Sequence, residues 1–340
     1  MNLFRNALSH IVFRAGVLLL LSALPAALFS PGRAGGAVRA QTFSEQAPSE
    51  NTGSGRDAAA DRRTDPPADG SPEELADVVE ISDGRYSCSF DDVKHDYIVD
   101  LPADLQGGPL IIMLHGYGQS AESIRRETGL HRDANPLGFT VVYVTGAPDP
   151  EDRSSSAGWN YEKPEAVKND LEFLSALARR IREQYRTDPS RCFAVGFSNG
   201  AFMCHRLAIE AADTFSAVVS VAGTMPRAIW EKRPETCRVG FFQVTGEKDD
   251  TVPKNLDGSA RFARSPAMED VIAYYAQANG LDQTETLPEG KGSLLTKYGS
   301  PSSDRQVWHL IIRDGRHSWS AESVTGINTN VLVLDFLSTQ

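Results

Sequence analysis

The sequence is poor in basic residues, in cysteine and in long apolar runs, and each shortage removes a class of function. Against 45 aspartates and glutamates stand 34 lysines and arginines, a formal net charge of −11 over 340 residues. No basic surplus is present to draw the chain to nucleic acid or to an anionic membrane surface. The four cysteines, Cys88, Cys192, Cys204 and Cys237, form no CxxC pair and no cluster with histidine at metal-ligand spacing. A zinc site is therefore not expected. In an oxidising compartment the cysteines allow one or two disulfides, with every pairing open, while Cys192 in an apolar run and Cys204 in a helix-like run read equally well as buried thiols.

The apolar run "AGVLLLLSALPAALF" (Ala15–Phe29) is short for a membrane span and is interrupted by Pro25. Arg5 and Arg14 precede it, and small residues follow to "AVRA" at Ala40. Residues 1–40 therefore read as a secretory signal cleaved after Ala40, in preference to a membrane anchor, and no membrane partner is expected once it is removed. Large apolar residues are almost missing from residues 41–76, where Ser, Ala, Asp, Pro, Gly and Arg dominate. Such a segment buries too little surface to offset its ordering entropy and is expected to be a disordered linker. Residues 77–340 remain, a suitable size for one domain.

In that domain, apolar runs alternate with helix-like periodicity. "HDYIVDLP" is an early strand, and "GPLIIMLHGYG", "GFTVVYVTG", "RCFAVGF", "FSAVVSVAG", "VGFFQVTG" and "RQVWHLIIRDG" follow. Between them lie a polar helical segment over 120–134, a helix whose stripe is Val167, Leu171, Leu174, Leu177 and Ile181, another after Ser198, and "AMEDVIAYYAQANG" followed by a polar loop. "NTNVLVLDFLSTQ" closes the chain as an amphipathic helix. Strands apolar throughout and alternating with helices predict an α/β fold with a mostly parallel sheet covered on both faces. Chemistry in such folds collects at the carboxyl ends of the strands.

Ser198 stands at one such end, in "GFSNG", with Gly196 and Gly200 in the glycine positions of G-x-S-x-G. The pentapeptide alone also suits an ordinary glycine turn, but between a strand and a helix it is the pattern of a nucleophile elbow. A serine hydroxyl needs a base. His10 is in the signal and His95 in the first hairpin region; of the histidines downstream of Ser198, His205 is inside a helix and His309 within a strand, which leaves His317 in the loop "RDGRHSWS". The orienting acid is expected between them, and "TGEKDDTVP" offers Glu247, Asp249 and Asp250, with Asp249 preferred and Asp250 second. Backbone N–H groups of Asn199 and of Tyr117, in the turn "LHGYGQS", are the expected oxyanion donors, with His115 bracing that turn. Trp159, Met225 and Trp319 are candidates for a substrate pocket, although Trp159 and Met225 read equally well as packing beneath loops.

The same "GYGQSA" also fits a dinucleotide fingerprint, but the next strand ends in Thr145 and Gly146 where that motif needs an acid. No cofactor and no metal are expected.

These residues together resemble the α/β-hydrolase superfamily and, within it, secreted bacterial esterases of the polyhydroxybutyrate-depolymerase-like and feruloyl or acetylxylan esterase type. The resemblance rests on "LHGYGQS", "GWN", "NDLEFLSAL", "GFSNGAFMCHRLA", "VAGTMP", "TGEKDDTVP" and "GRHSWS". It implies Ser198 as nucleophile, His317 as base, Asp249 as acid and an ester as substrate. The chain departs from the family pattern in having Thr245-Gly246 before the acid turn, Asp250 after Asp249, and Trp319 two residues after the base. A serine peptidase on the same fold and a non-catalytic binding protein are the alternatives. The first usually adds a gating domain that the linker is too short to supply, and the second is expected to have lost a triad member.

Overall fold

The computed structural model describes residues 74–105, 107–148, 155–162, 168–253 and 265–340. The expected signal, almost all of the expected linker and Val167 lie outside them. A mixed sheet of 11 strands forms the middle layer among the described residues. In chain order its strands are β1 (Ala76–Ser82), β2 (Arg85–Phe90), β3 (Val93–Asp100), β4 (Leu110–Leu114), β5 (Thr140–Val144), β6 (Cys192–Phe197), β7 (Ala217–Val221), β8 (Gly240–Gly246), β9 (Gln283–Glu289), β10 (Ser293–Gly299) and β11 (Val307–Ile312). Across the sheet the order is β1-β2-β3-β5-β4-β6-β7-β8-β11-β10-β9.

From β5 to β11 neighbouring strands run parallel. Antiparallel strands close both margins. The helices are α1 (Ala121–Thr128), α2 (Leu130–Ala134), α3 (Asp170–Tyr185), α4 (Asn199–Glu210), α5 (Arg227–Lys232), α6 (Met268–Ala278), α7 (Glu322–Thr325) and α8 (Thr329–Ser338).

Alternation along β4 shows why its sequence is apolar throughout. Leu110, Ile112 and Leu114 join one core with Phe173 and Leu177 of α3, Leu207 of α4 and Tyr275 of α6. Ile111 and Met113 enter the opposite core with Ile124 of α1 and with Leu334 and Phe336 of α8. A strand covered on both faces has no side that tolerates a polar residue.

Two regions differ from the sequence expectation. The late polar loop is the β9–β10 hairpin, paired from Ser293–Glu289 to Gly299–Gln283. The first strand is preceded by two others, β1 and β2, joined through Asp83–Gly84 with Gly84 at φ 68. Both departures have one cause: marginal antiparallel strands keep exposed faces, so they lack the apolar runs by which the central strands announce themselves. The cysteines also resolve, since all four are unbridged and buried, and burial pushes the Cys88 and Cys192 thiols up to about 12.

Candidate active site

The turn after β6 is shaped by what its glycines omit. Ser198 has φ 52 and ψ −114, a backbone conformation that a non-glycine residue holds only when its surroundings enforce it. A Cβ at Gly196 would collide with the Gly200 carbonyl and come within 2.6 Å of the Ala201 nitrogen, and one at Gly200 would lie 2.7 Å from the His115 oxygen. The two glycines thus let α4 begin directly against the end of β4. The Ser198 N–H is tied back to the Val221 carbonyl at 2.9 Å, which fixes the turn to the neighbouring strand.

Ser198 Oγ lies 2.9 Å from His317 Nε2, and His317 Nδ1 lies 2.8 Å from Asp249 Oδ2. A carboxylate at Nδ1 selects the tautomer that carries its proton there, leaving the Nε2 lone pair toward the serine. The second oxygen, Asp249 Oδ1, accepts from the Thr251 and Val252 N–H groups at 2.9 and 2.8 Å. Asp249 is buried while Asp250 is exposed, and Asp249 is the acid that meets His317. Glu247 holds the two loops together instead: its N–H donates to the Ile312 carbonyl at 3.0 Å and its side chain accepts from the Asp314 N–H at 3.1 Å. A Cβ at Gly246 would fall 2.7 Å from the Arg316 carbonyl, so the histidine loop packs against the acid loop only because that position is glycine.

The turn carrying Tyr117 abuts the nucleophile, since a Cβ at Gly116 would lie 3.4 Å from Ser198 Cβ. Asn199 is the first residue of α4, where a backbone N–H has no intrahelical acceptor. His115 is buried, receives the Gly146 N–H on Nε2 at 2.9 Å and donates from Nδ1 to the Gly116 carbonyl at 2.7 Å. Burial pushes it down to about 4, so it is a neutral brace. His205 is buried between Phe241 and Tyr275, and His309 lies 3.4 Å from Thr245 Oγ1, so neither reaches the serine.

Of the three residues expected to line a substrate pocket, Trp159 and Met225 are buried and Trp319 is half-buried. Met225 is 0% exposed in the core. Trp159 is buried, with its backbone N–H on Asn199 Oδ1 at 2.7 Å and its indole N–H on the His115 carbonyl at 2.9 Å. It ties the two turns together and offers no face to a ligand. Trp319 donates to Asn330 Oδ1 of α8 at 2.9 Å and anchors the histidine loop.

Sequence reasoning missed a separate apolar cluster of Phe202, Val252 and Tyr161. Phe202 follows Ser198 by one helical turn, and Val252 lies just beyond Asp249 in the acid loop. Helical spacing from the serine was the signal available for Phe202. Among the described residues no group of histidine, cysteine and acids is arranged to hold a metal ion.

Comparison with known proteins finds relatives of this chain. Residues 95–232 match the model described as Esterase PHB depolymerase. Over that stretch the chain is similar to the Esterase PHB depolymerase family. That match includes Ser198 but ends before Asp249 and His317, so the partnership of the latter two rests on the distances above.

The protein NocK of Nocardia uniformis subsp. tsuyamanensis, named as an esterase, is 28% identical over 235 residues, 64% of this chain and 67% of its own. Feruloyl esterase B of Thermothelomyces thermophilus is 28% identical over 203 residues, 56% of this chain and 65% of its own. The chain thus spans about two thirds of the length of these curated relatives. The acetyl xylan esterase from Aspergillus awamori superposes with a TM-score of 0.52 at 13% identity, covering 72% of this chain and 94% of the other. The fold is that of the α/β-hydrolases, and the chain is similar in sequence to carboxylic ester hydrolases.

Proposed function

We propose that the protein is an exported serine esterase in which Ser198, His317 and Asp249 form the catalytic triad. His317 Nε2 takes the Ser198 proton as Oγ attacks the ester carbonyl, and Asp249 holds the imidazole in the required tautomer and stabilises the imidazolium. The Tyr117 and Asn199 N–H groups stabilise the oxyanion, the second of them helped by the positive end of the α4 dipole. His317 then returns the proton to the departing alcohol, and an acyl-serine is left. Water, deprotonated by the same imidazole, releases the acid and regenerates Ser198. Every step uses protein groups and water.

The observation that carries this reading is the continuous hydrogen-bonded path Ser198 Oγ to His317 Nε2 at 2.9 Å and His317 Nδ1 to Asp249 Oδ2 at 2.8 Å, beginning on a strained turn. The names of the relatives favour feruloyl or acetyl esters on polysaccharide and hydroxyalkanoate polyesters as substrates. The signal assigned to residues 1–40 fits such substrates, because polymers do not enter cells.

The test is hydrolysis by the chain from Gln41, beside Ser198→Ala, of p-nitrophenyl acetate, methyl ferulate, acetylated xylan, a hydroxybutyrate oligomer and a peptide substrate. Serine-dependent ester turnover is expected. Cleavage of the peptide alone would move the assignment to a peptidase, and equal rates for both proteins would return Ser198 to a tight-turn residue.

A further inference from the structure

The segment Ala157–Asn160 has a different partner for almost every polar group. Toward the site, the Ala157 carbonyl accepts the Gly118 N–H at 2.7 Å, the Trp159 N–H reaches Asn199 Oδ1 at 2.7 Å, and the Trp159 indole reaches the His115 carbonyl at 2.9 Å. It therefore touches both turns assigned as oxyanion donors. Away from the site, its backbone is gripped by three buried charged side chains. Lys168 Nζ donates to the Gly158 carbonyl and, at 2.5 Å, to the Ala147 carbonyl in the loop that follows β5. Asp170 Oδ2 accepts the Asn160 N–H at 2.6 Å and lies 3.3 Å from Lys168 Nζ. Arg206 of α4 donates from Nη1 to the Asn160 carbonyl at 2.7 Å.

Stability alone is a weak reason for this arrangement. Lys168, Asp170 and Arg206 are 4%, 0% and 3% exposed, and a buried ion pair commonly stabilises a fold no more than apolar residues of the same volume. What charged groups supply here and apolar ones would not is a fixed direction for the Gly158 carbonyl and the Asn160 N–H. Those two groups bracket Trp159, the residue that joins the turns.

We infer that Lys168 and Asp170 are positioning residues for the oxyanion hole, acting through the Ala157–Asn160 segment to hold the Tyr117 and Asn199 N–H groups at their working separation. The inference rests on the esterase reading above. An oxyanion donor acts only if it meets the charge that develops in the transition state, so displacement lowers the rate of the chemical step more than it weakens substrate binding. A misplacement on the order of 1 Å is enough to cost about 100-fold.

The experiment compares wild type, Lys168→Met and Asp170→Asn on p-nitrophenyl acetate, with active sites titrated by a fluorophosphonate so that rates refer to folded, reactive enzyme. Expected is a fall in kcat of about 10- to 100-fold with KM changed less than about threefold. The inhibition constant of a trifluoromethyl ketone, which forms a serine-bound oxyanion, should rise by the factor that kcat/KM loses. A cycle combining Lys168→Met with Asn199→Ala should show overlapping rather than multiplying losses, because both act through the Trp159–Asn199 link.

A titrated variant with kcat within twofold of wild type and unchanged ketone inhibition overturns the inference. So does a loss confined to Tm or to the titratable fraction. Should Lys168→Met fail to fold, the isosteric Asp170→Asn decides by the same criteria. Wild type lacking serine-dependent turnover overturns the esterase reading and this inference with it, whereas serine-dependent turnover with unaffected variants overturns the inference alone.

Discussion

Strands β4, β6 and β7 at the centre of the sheet bury every residue, whereas β1 and β9 at its margins leave most of theirs exposed. The parallel strands deliver Ser198, Asp249 and the His317 loop from the ends of β6, β8 and β11 to the same edge of the sheet. Antiparallel hairpins carry none of these groups. A central strand is thus constrained on both faces and at its carboxyl end, while a marginal strand need only continue a hydrogen-bond ladder and keep its edge polar. The difference separates positions where a single atom matters from positions where only the pairing matters.

The sharpest way to break that contrast is at the strand ends. Ser198→Ala should lower kcat on a p-nitrophenyl ester by about four to six orders of magnitude, and Asp249→Asn by about four, since an amide at Nδ1 selects the wrong tautomer. Asp250→Asn, one residue along and exposed, should stay within about twofold. Equal losses at the two aspartates would refute the assignment of the acid. Gly200→Ala should cost about 3 kcal/mol in urea unfolding, because the new methyl meets backbone at the end of β4 instead of a side chain that can rotate away.

How much of this was legible follows the same division. Apolar runs revealed the central strands, and the glycine spacing around Ser198, with His317 and the three acids Glu247, Asp249 and Asp250 at later strand ends, narrowed the site to a set that includes the residues the structure brings together. The margins were hidden because "ADVVEIS" and "QTETLPE" have no core face to bury, although "SDGR" between β1 and β2 carries the Asp-Gly turn signal that could have exposed the hairpin. The burial of two expected pocket residues was hidden for a related reason. Trp159 and Met225 follow strands, as pocket residues do, but composition says nothing about which way a loop turns a side chain. Lys168 and Asp170 were invisible as a buried pair, because charged residues at a helix start ordinarily face water.

The core around the site makes a smaller, pH-dependent prediction. Burial holds His95 and His115 down to about 4 and His205 to about 3, from an ordinary value near 6.5. Between those limits the unfolded chain binds protons that the folded chain refuses, so stability is complete above about pH 6.5 and falls as the pH drops toward 4. Asp170, pushed up to about 6 by burial, opposes this with a single proton. Each histidine is expected to contribute a loss on the order of 1–2 kcal/mol between pH 7 and pH 5, with Asp170 offsetting about one such contribution, read from urea unfolding at the two values. Stability rising over that interval would show that these histidines are charged in the fold.

The smallest effect belongs to the margin, and it tests the comparison by the same substitution made twice. Leu114 in β4 is 0% exposed and Leu294 in β10 is 48% exposed. Leu114→Ala removes methyl groups from a site walled by strands and helices that cannot close over the gap, and should cost about 2–5 kcal/mol. Leu294→Ala leaves the backbone pairing to Ile311 and Pro288 intact and removes surface that is half in water, so about 0.5 kcal/mol or less is expected. The informative result is the ratio of the two costs in one set of urea melts. Equal costs would mean that the β9–β10 hairpin is covered in solution by something that buries Leu294, and that the margin is constrained on both faces as the centre is.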